Sequence, residues 1–286
     1  MKLTEIINSD SLSLSFEVFP PKTDDTFESV KQATEEIAEL NPSYMSVTYG
    51  AGGGNSGYSL QIAENLKEKN VTPLAHLTCV SSTKDEIKAH LTDFKNNGIE
   101  NILALRGDRP KDEAQLKTDY AYASELIRDI KEFGGFCIGG ACYPESHPEC
   151  ESSFKDIENL KTKVEAGCEF LTTQMFFDNN VYYNFLYRLN NAGINVPVVA
   201  GIMPVTNPSS IKRICRISGS ALPQRFVRIV DRFGDNAEAM LDAGIAYATE
   251  QIIDLFANGA KAVHVYSMNK PEVAKRIKNN LKSIIK

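Results

Sequence analysis

The feature that most constrains this chain is a regular alternation of short apolar runs and helical periods along almost its whole length. The apolar runs fall at Leu12–Phe19, Tyr44–Tyr49, Thr72–Cys79, Asn101–Arg106, Phe136–Tyr143, Cys168–Phe177, Val196–Met203 and Ala262–Ser267. Near-continuous apolar runs of this length read as strands buried on both faces. Helical periods follow at 25–40, 56–69, 83–97, 120–133, 152–166, 180–192, 208–258 and 271–284, the seventh broken near Gly219–Pro223 and Gly234. Punctuation agrees. Thr83-Lys84-Asp85-Glu86 matches a capping box, Gly98 stands at a helix end, and Pro271 suits a first helical position. Eight strand–helix units in a chain of 286 residues predict an α/β fold, a closed (β/α)8 TIM barrel with extra helices after strand seven. The loop Gly50-Ala51-Gly52-Gly53-Gly54 lacks the spacing of a dinucleotide fingerprint, which argues against an open doubly wound sheet. No composition shift divides the chain, so residues 1–286 are expected to form one domain.

Composition narrows the partners. Net charge is −6 with no basic stripe, which argues against a nucleic-acid surface. No apolar run approaches the ~20 residues of a membrane span, and Met1–Asp10 lacks a signal-peptide core, so a cytoplasmic protein is expected. The six cysteines form no Cys-x-x-Cys pair and several sit in apolar runs, as buried reduced thiols rather than zinc ligands; no metal is expected.

In such a barrel the working face lies where strands end. Glu17 stands at the end of strand one, just before Phe19-Pro20-Pro21, where the prolines forbid further pairing. Burial there would raise its pKa and suit it to general acid chemistry, although on its own it reads first as a solvated edge carboxylate. Other strand ends bring Thr48 and Tyr49; His76 and Thr78; Arg106, Gly107 and Asp108; Tyr143, Glu145 and His147; Thr172, Thr173 and Gln174; and Tyr266 with Asn269 and Lys270. Each has a plain structural reading, His76 as an inner-layer histidine and Gln174 as a polar filler. Their joint placement is what points to chemistry. Without a metal cluster or a Gly-x-Ser-x-Gly elbow, the inventory fits proton or redox chemistry on an organic cofactor.

The residues also match a known family. Phe16-Glu17-Val18-Phe19-Pro20-Pro21-Lys22, Ser46-Val47-Thr48-Tyr49-Gly50-Ala51, His76-Leu77-Thr78-Cys79 and Leu103-Ala104-Leu105-Arg106-Gly107-Asp108 carry the first half of the likeness. Tyr143-Pro144-Glu145-Ser146-His147-Pro148, Thr173-Gln174-Met175-Phe176-Phe177-Asp178, Gly201-Ile202-Met203-Pro204-Val205 and His264-Val265-Tyr266-Ser267-Met268-Asn269 carry the second. In these blocks the chain resembles the bacterial methylenetetrahydrofolate reductases, flavoenzymes of one-carbon metabolism linked to methionine biosynthesis.

The resemblance implies a barrel that holds FAD, takes hydride from NADH or NADPH, and passes it by a ping-pong route to 5,10-methylenetetrahydrofolate, giving 5-methyltetrahydrofolate. It implies Glu17 as the acid that protonates N10 and opens the ring to a 5-iminium cation. Asp108 is implied beside flavin and pterin, where its charge would favour that cation and disfavour added negative charge on the flavin. Flavin contacts are implied for Tyr49, Ala51, His76, Arg106, Gly107, Asp108, Tyr122, Ala123, Tyr143, His147, Cys150, Asp156, Asn159 and Lys163. Contacts to folate or nicotinamide are implied for Glu17, Thr48, Asp108, Gln174, Ser210, Tyr266 and Lys270. The chain departs from the family pattern at Thr162 and Lys270, which stand in place of arginines, at Ser210 in place of a glutamine, and at Cys150 in place of an alanine. No C-terminal regulatory domain is expected. An alternative is a flavin- and folate-binding barrel whose FAD is reduced through an electron-transfer partner subunit; a homo-oligomer is also compatible.

Overall fold

The computed structural model describes residues 1–21, 23–49, 56–109 and 119–285. The strands are β1 (Ser13–Val18), β2 (Met45–Val47), β3 (Pro73–Thr78), β4 (Asn101–Leu105), β5 (Cys137–Cys142), β6 (Phe170–Thr173), β7 (Val198–Ile202) and β8 (Ala262–Val265). They pair in sequence order as a closed parallel barrel, with β8 returning to β1 in a register from Ser13↔Ala262 to Phe16↔Val265. The expected (β/α)8 fold is therefore present. The helices are α1 (Leu3–Ile7), α2 (Phe27–Ala38), α3 (Ser56–Glu68), α4 (Lys84–Asn96), α5 (Ala123–Phe133), α6 (Ser153–Glu165), α7 (Asn179–Asn191), α8 (Pro208–Ser218), α9 (Gln224–Phe233), α10 (Ala237–Ala257) and α11 (Pro271–Leu281). The expected capping box opens α4. The Thr83 hydroxyl accepts from Glu86 N (3.2 Å), and the Glu86 carboxylate accepts from Thr83 N (2.6 Å).

Alternation along the strands divides the side chains between two environments. One set, including Phe16, Val18, Val47, Leu77, Ile102 and Val263, packs outward against the helix layer. The other faces the axis. At the N-terminal end the axis is apolar, with Tyr44, Leu74, Leu103, Cys137, Phe170 and Val199 in one cluster. The short helix α1, absent from the expected elements, closes this end with Leu3 and Ile7, and Leu3 N donates to Asn101 Oδ1 (2.8 Å). Large rings need small partners here. A Cβ on Gly139 would lie 2.3 Å from the Phe170 ring, and one on Gly201 would lie 2.3 Å from the Thr173 carbonyl and 2.5 Å from the Tyr266 hydroxyl.

One boundary differs plainly from expectation. The apolar run at 168–177 is a strand only to Thr173. Beyond it, Met175 and Phe177 pack with Val205, Ile211, Phe226 and Met240, and Phe177 stacks on Phe226 at 5.5 Å. These residues are apolar because they hold the inserted helices, not because they extend the sheet. The long region after β7 divides into α8, α9 and α10, as the glycine breaks suggest, and Gly219 ends α8 at φ 75°. Ala221 N, between α8 and α9, donates to the Glu145 carboxylate (3.0 and 3.1 Å), so the insertion is tied to the strand-end face.

All six cysteines are free thiols, with Cys79, Cys137, Cys142 and Cys168 buried and Cys150 and Cys215 half-buried. Among the described residues no helix is long and apolar enough to cross a membrane.

The glycine contacts give a direct test. Gly201→Ala is expected to lower unfolding free energy by about 1–3 kcal/mol, because its methyl meets backbone that cannot yield. Urea denaturation followed by circular dichroism measures it.

Candidate active site

Glu17 ends β1 with its side chain on the barrel axis, 8% exposed. Among the described residues nothing hydrogen-bonds its carboxyl, and the nearest charge-capable group is His76 Nε2 at 3.8 Å from Oε2. Burial pushes its pKa up to about 8. Burial also pushes His76 down to about 3. At neutral pH the pair is thus a protonated acid beside a neutral imidazole, not an ion pair.

Beneath this pair lies a hydrogen-bonded floor. His264 Nδ1 meets Ser15 Oγ at 2.7 Å, and Nε2 meets Ser46 Oγ at 2.9 Å. The Ser15 hydroxyl donates its one proton to the Val263 carbonyl (3.0 Å), so it accepts from His264 Nδ1–H, and Nε2 accepts from Ser46. The tautomer follows from the network. Burial, with His76 nearby, holds His264 down to about 3, so it stays neutral. Tyr44 stacks on it at 5.5 Å and Tyr266 meets it edge-on at 5.6 Å. The Tyr266 hydroxyl donates to the Thr173 carbonyl (2.6 Å), which fixes the ring beside the acid.

A second group gathers at the ends of β4 and β5. Arg106 is held by both guanidinium nitrogens on the Glu149 carboxylate, at 2.6 and 3.0 Å. Tyr143 and His147 meet edge-on at 4.6 Å, and His147 N donates to buried Asp156 (3.1 Å). Burial raises the Tyr143 pKa, with the Asp108 charge adding to it. Asn159 Nδ2 points at Cys150 Sγ (3.7 Å). Lys163 Nζ donates to the Ala141 carbonyl (2.8 Å); desolvation lowers its pKa, and it forms no ion pair among the described residues. Gly107 adopts φ 88°, and a Cβ there would lie 3.0 Å from Thr78 Cβ. Asp108 is exposed on the loop beyond it.

The remaining expected residues are more scattered. Gln174 is half-buried at the end of β6, its Oε1 accepting from Met175 N (2.9 Å). Thr48 is half-buried at the end of β2. Lys270 Nζ donates to Thr206 Oγ1 (2.8 Å), joining the β8 and β7 rims. Tyr49 carries its hydroxyl to His90 on α4 (3.0 Å), toward the helix layer. Tyr122 caps α5 and is largely exposed, with Ala123 buried beside it. Ala51, with the Gly50–Gly54 loop, and the Ser210 side chain lie outside what the structure describes.

The sequence reading missed Glu149, Ser15, Ser46 and His264. The last three lie two residues before Glu17, Thr48 and Tyr266, so counting back by two along each strand finds them. Glu149 sits in an irregular loop and has no such signal.

Fold and rim together define a (β/α)8 barrel with a buried carboxyl on its axis and Arg106 and Lys163 among carboxylates at the rim beside it. The family model described as methylenetetrahydrofolate reductase matches residues 2–282. The chain is 35% identical over 271 residues to the 5,10-methylenetetrahydrofolate reductase of Escherichia coli K12, covering 94% of this chain and 90% of that one. It is 32% identical over 295 residues to methylenetetrahydrofolate reductase (NADH) 1 of Arabidopsis thaliana, covering 98% of this chain but 50% of the plant protein. This chain belongs to the methylenetetrahydrofolate reductase family of oxidoreductases. Among solved structures, a Clostridium thermocellum protein that binds two copies of 5-methyl-5,6,7,8-tetrahydrofolic acid superposes over 100% of both chains, with TM-score 0.71 and 16% identity. That likeness concerns the fold.

The raised Glu17 pKa has a stability consequence. Between pH 4.5 and about 8 the unfolded chain has released this proton and the native chain has kept it. Native stability from this group is complete below pH 4.5 and falls as pH rises toward 8, by at most about 1.4 kcal/mol per pH unit. Glu17→Gln, which cannot ionise, should therefore gain thermal stability over the parent as pH rises from 5 to 8. Melting curves across that range test it, and a constant offset would mean Glu17 titrates normally.

Proposed function

We propose that this chain reduces 5,10-methylenetetrahydrofolate to 5-methyltetrahydrofolate with FAD as the bound hydride carrier and NADH or NADPH as donor, in two separate half-reactions. The observation that carries the reading is Glu17, an acid kept protonated at neutral pH by burial on the barrel axis. The residues present also fit a flat polar cofactor with an anionic tail. Among the described residues His76 Nε2 and Thr172 Oγ1 are buried without a hydrogen-bond partner, as polar edges a bound ring could satisfy. Lys163 is a desolvated cation with no carboxylate bound to it among the described residues, which suits a diphosphate. Arg106 is less available, because Glu149 already balances its charge.

When bound, the flavin would supply hydride to the folate carbon. The chain's own residues do the rest. Glu17 gives its proton to folate N10, which opens the five-membered ring to the iminium cation that accepts hydride. The neutral His76 leaves that proton on the acid, because a cation 3.8 Å away would pull the Glu17 pKa down. Asp108, exposed at the rim, would supply negative charge toward the cationic intermediate and would lower the potential of a bound flavin. Lys163, Asp156, His147 and Tyr143 would hold the cofactor, and Gln174, Tyr266 and Lys270 would face the folate.

Anaerobic stopped-flow separates the half-reactions. NADH or NADPH should bleach the flavin absorbance, and methylenetetrahydrofolate should restore it. Restoration by folate without bleaching by either nicotinamide would point to reduction through a partner protein. Glu17→Gln should leave bleaching within about twofold and slow the folate step at least ~100-fold. Asp108→Asn should raise the flavin potential and slow the folate step; an unchanged potential and rate would overturn its electrostatic role.

A further inference from the structure

Glu17 sits where ordinary means of fixing a side chain are closed to it. Donors to its carboxylate would favour the ionised form and lower its pKa, and among the described residues it has none. Its position must come from the main chain. The β1–β8 ladder, however, has its last paired residues at Phe16↔Val265, one residue short of Glu17. Beyond it, Pro20 and Pro21 lack the amide protons that could continue the ladder.

Two side chains from the β8 loop take over the pairing. Buried Ser267 donates its hydroxyl to the Glu17 carbonyl (3.1 Å). Asn269 engages Phe19 twice, its Oδ1 accepting from Phe19 N (2.8 Å) and its Nδ2 donating to Phe19 O (3.0 Å). The carboxamide thereby stands in for one residue of a strand. Met268 and Asn269 both lie in the left-handed region, at φ 57° and 53°, a conformation that asparagine tolerates better than most residues. On its other side β1 keeps a backbone partner, Thr48 N donating to Val18 O (3.0 Å). Beyond Phe16, and among the described residues, the clamp is therefore the support for β1 on its β8 side.

We infer that Asn269 is a positioning residue for the folate half-reaction, clamping Phe19 so that the unbonded Glu17 carboxyl is held toward the substrate. The inference rests on the acid reading of Glu17. It assigns Asn269 a role in the proton-transfer step and none in flavin reduction.

Asn269→Gly removes the carboxamide while allowing the positive φ. Hydrogen exchange at the Phe19 amide should accelerate about tenfold or more. The folate half-reaction should slow ~10- to 100-fold at saturating folate, with flavin reduction by nicotinamide within about twofold. Equal loss in both half-reactions would mean a general structural role and would overturn the proposal. So would faster Phe19 exchange with an unchanged folate step. Glu17→Gln, run alongside, separates the two layers. If it keeps the folate step, the acid reading falls and this proposal with it; if it loses that step while Asn269→Gly keeps it, the proposal alone falls. Should Asn269→Gly not fold, Asn269→Asp, which keeps the acceptor for Phe19 N and deletes the donor to Phe19 O, is read by the same measurements.

Discussion

Closing eight parallel strands on themselves leaves no sheet edge, and it sends every second side chain of each strand toward one shared axis. Along that axis the polarity is graded. The N-terminal half is filled by Leu74, Leu103, Phe170 and Val199 and closed by α1, which excludes water from below. The next layer is the Ser15–His264–Ser46 floor, fully paired and uncharged. Only above it do Glu17, His76 and Tyr266 meet the open face. The low-dielectric column under Glu17 is what raises its pKa, so the packing of the barrel bottom and the chemistry at the top are one arrangement.

The rim divides by charge in a way the axis does not. Around β4 and β5, the Glu149 carboxylate raises the Arg106 pKa, while desolvation lowers that of Lys163. Arg106 and Glu149 satisfy each other with two short bonds, while Lys163 is left with a carbonyl. On the opposite flank the helices after β7 bring an apolar cluster, Phe177, Phe226 and Tyr247, with the Tyr247 hydroxyl on the Phe177 carbonyl (2.6 Å).

Much of this was legible in the sequence because it follows from periodicity. Strand–helix alternation gave the barrel, and strand ends gave Glu17, His76, Arg106, Tyr143, Gln174 and Tyr266. What escaped obeyed other rules. Helix α1 is five residues long, too short for a periodic signal. Met175 and Phe177 look like strand because burial under α8–α10 demands the same apolar residues as burial in a sheet. Tyr49 belongs to a recognisable block, yet its outward parity on β2 sends its hydroxyl to His90. Glu149 acts through loop geometry, which local sequence does not encode.

The two histidines near Glu17 show why neutrality matters as much as burial. A cationic imidazole at 3.8 Å would stabilise the carboxylate and cancel part of the desolvation that keeps the proton in place. His76 avoids this through its own burial. His264 avoids it in the same way, buried between the uncharged hydroxyls of Ser15 and Ser46. The same logic explains why the chain grips β1 by its backbone. Hydrogen-bond donors aimed at the Glu17 oxygens would fix its position at the expense of its acidity range, whereas Ser267 and Asn269 hold residues 17 and 19 without touching the carboxyl. A barrel that needs a protonated carboxyl at neutral pH must separate the means of holding the residue from the means of setting its proton affinity, and here the β8 loop does the first and the apolar column the second.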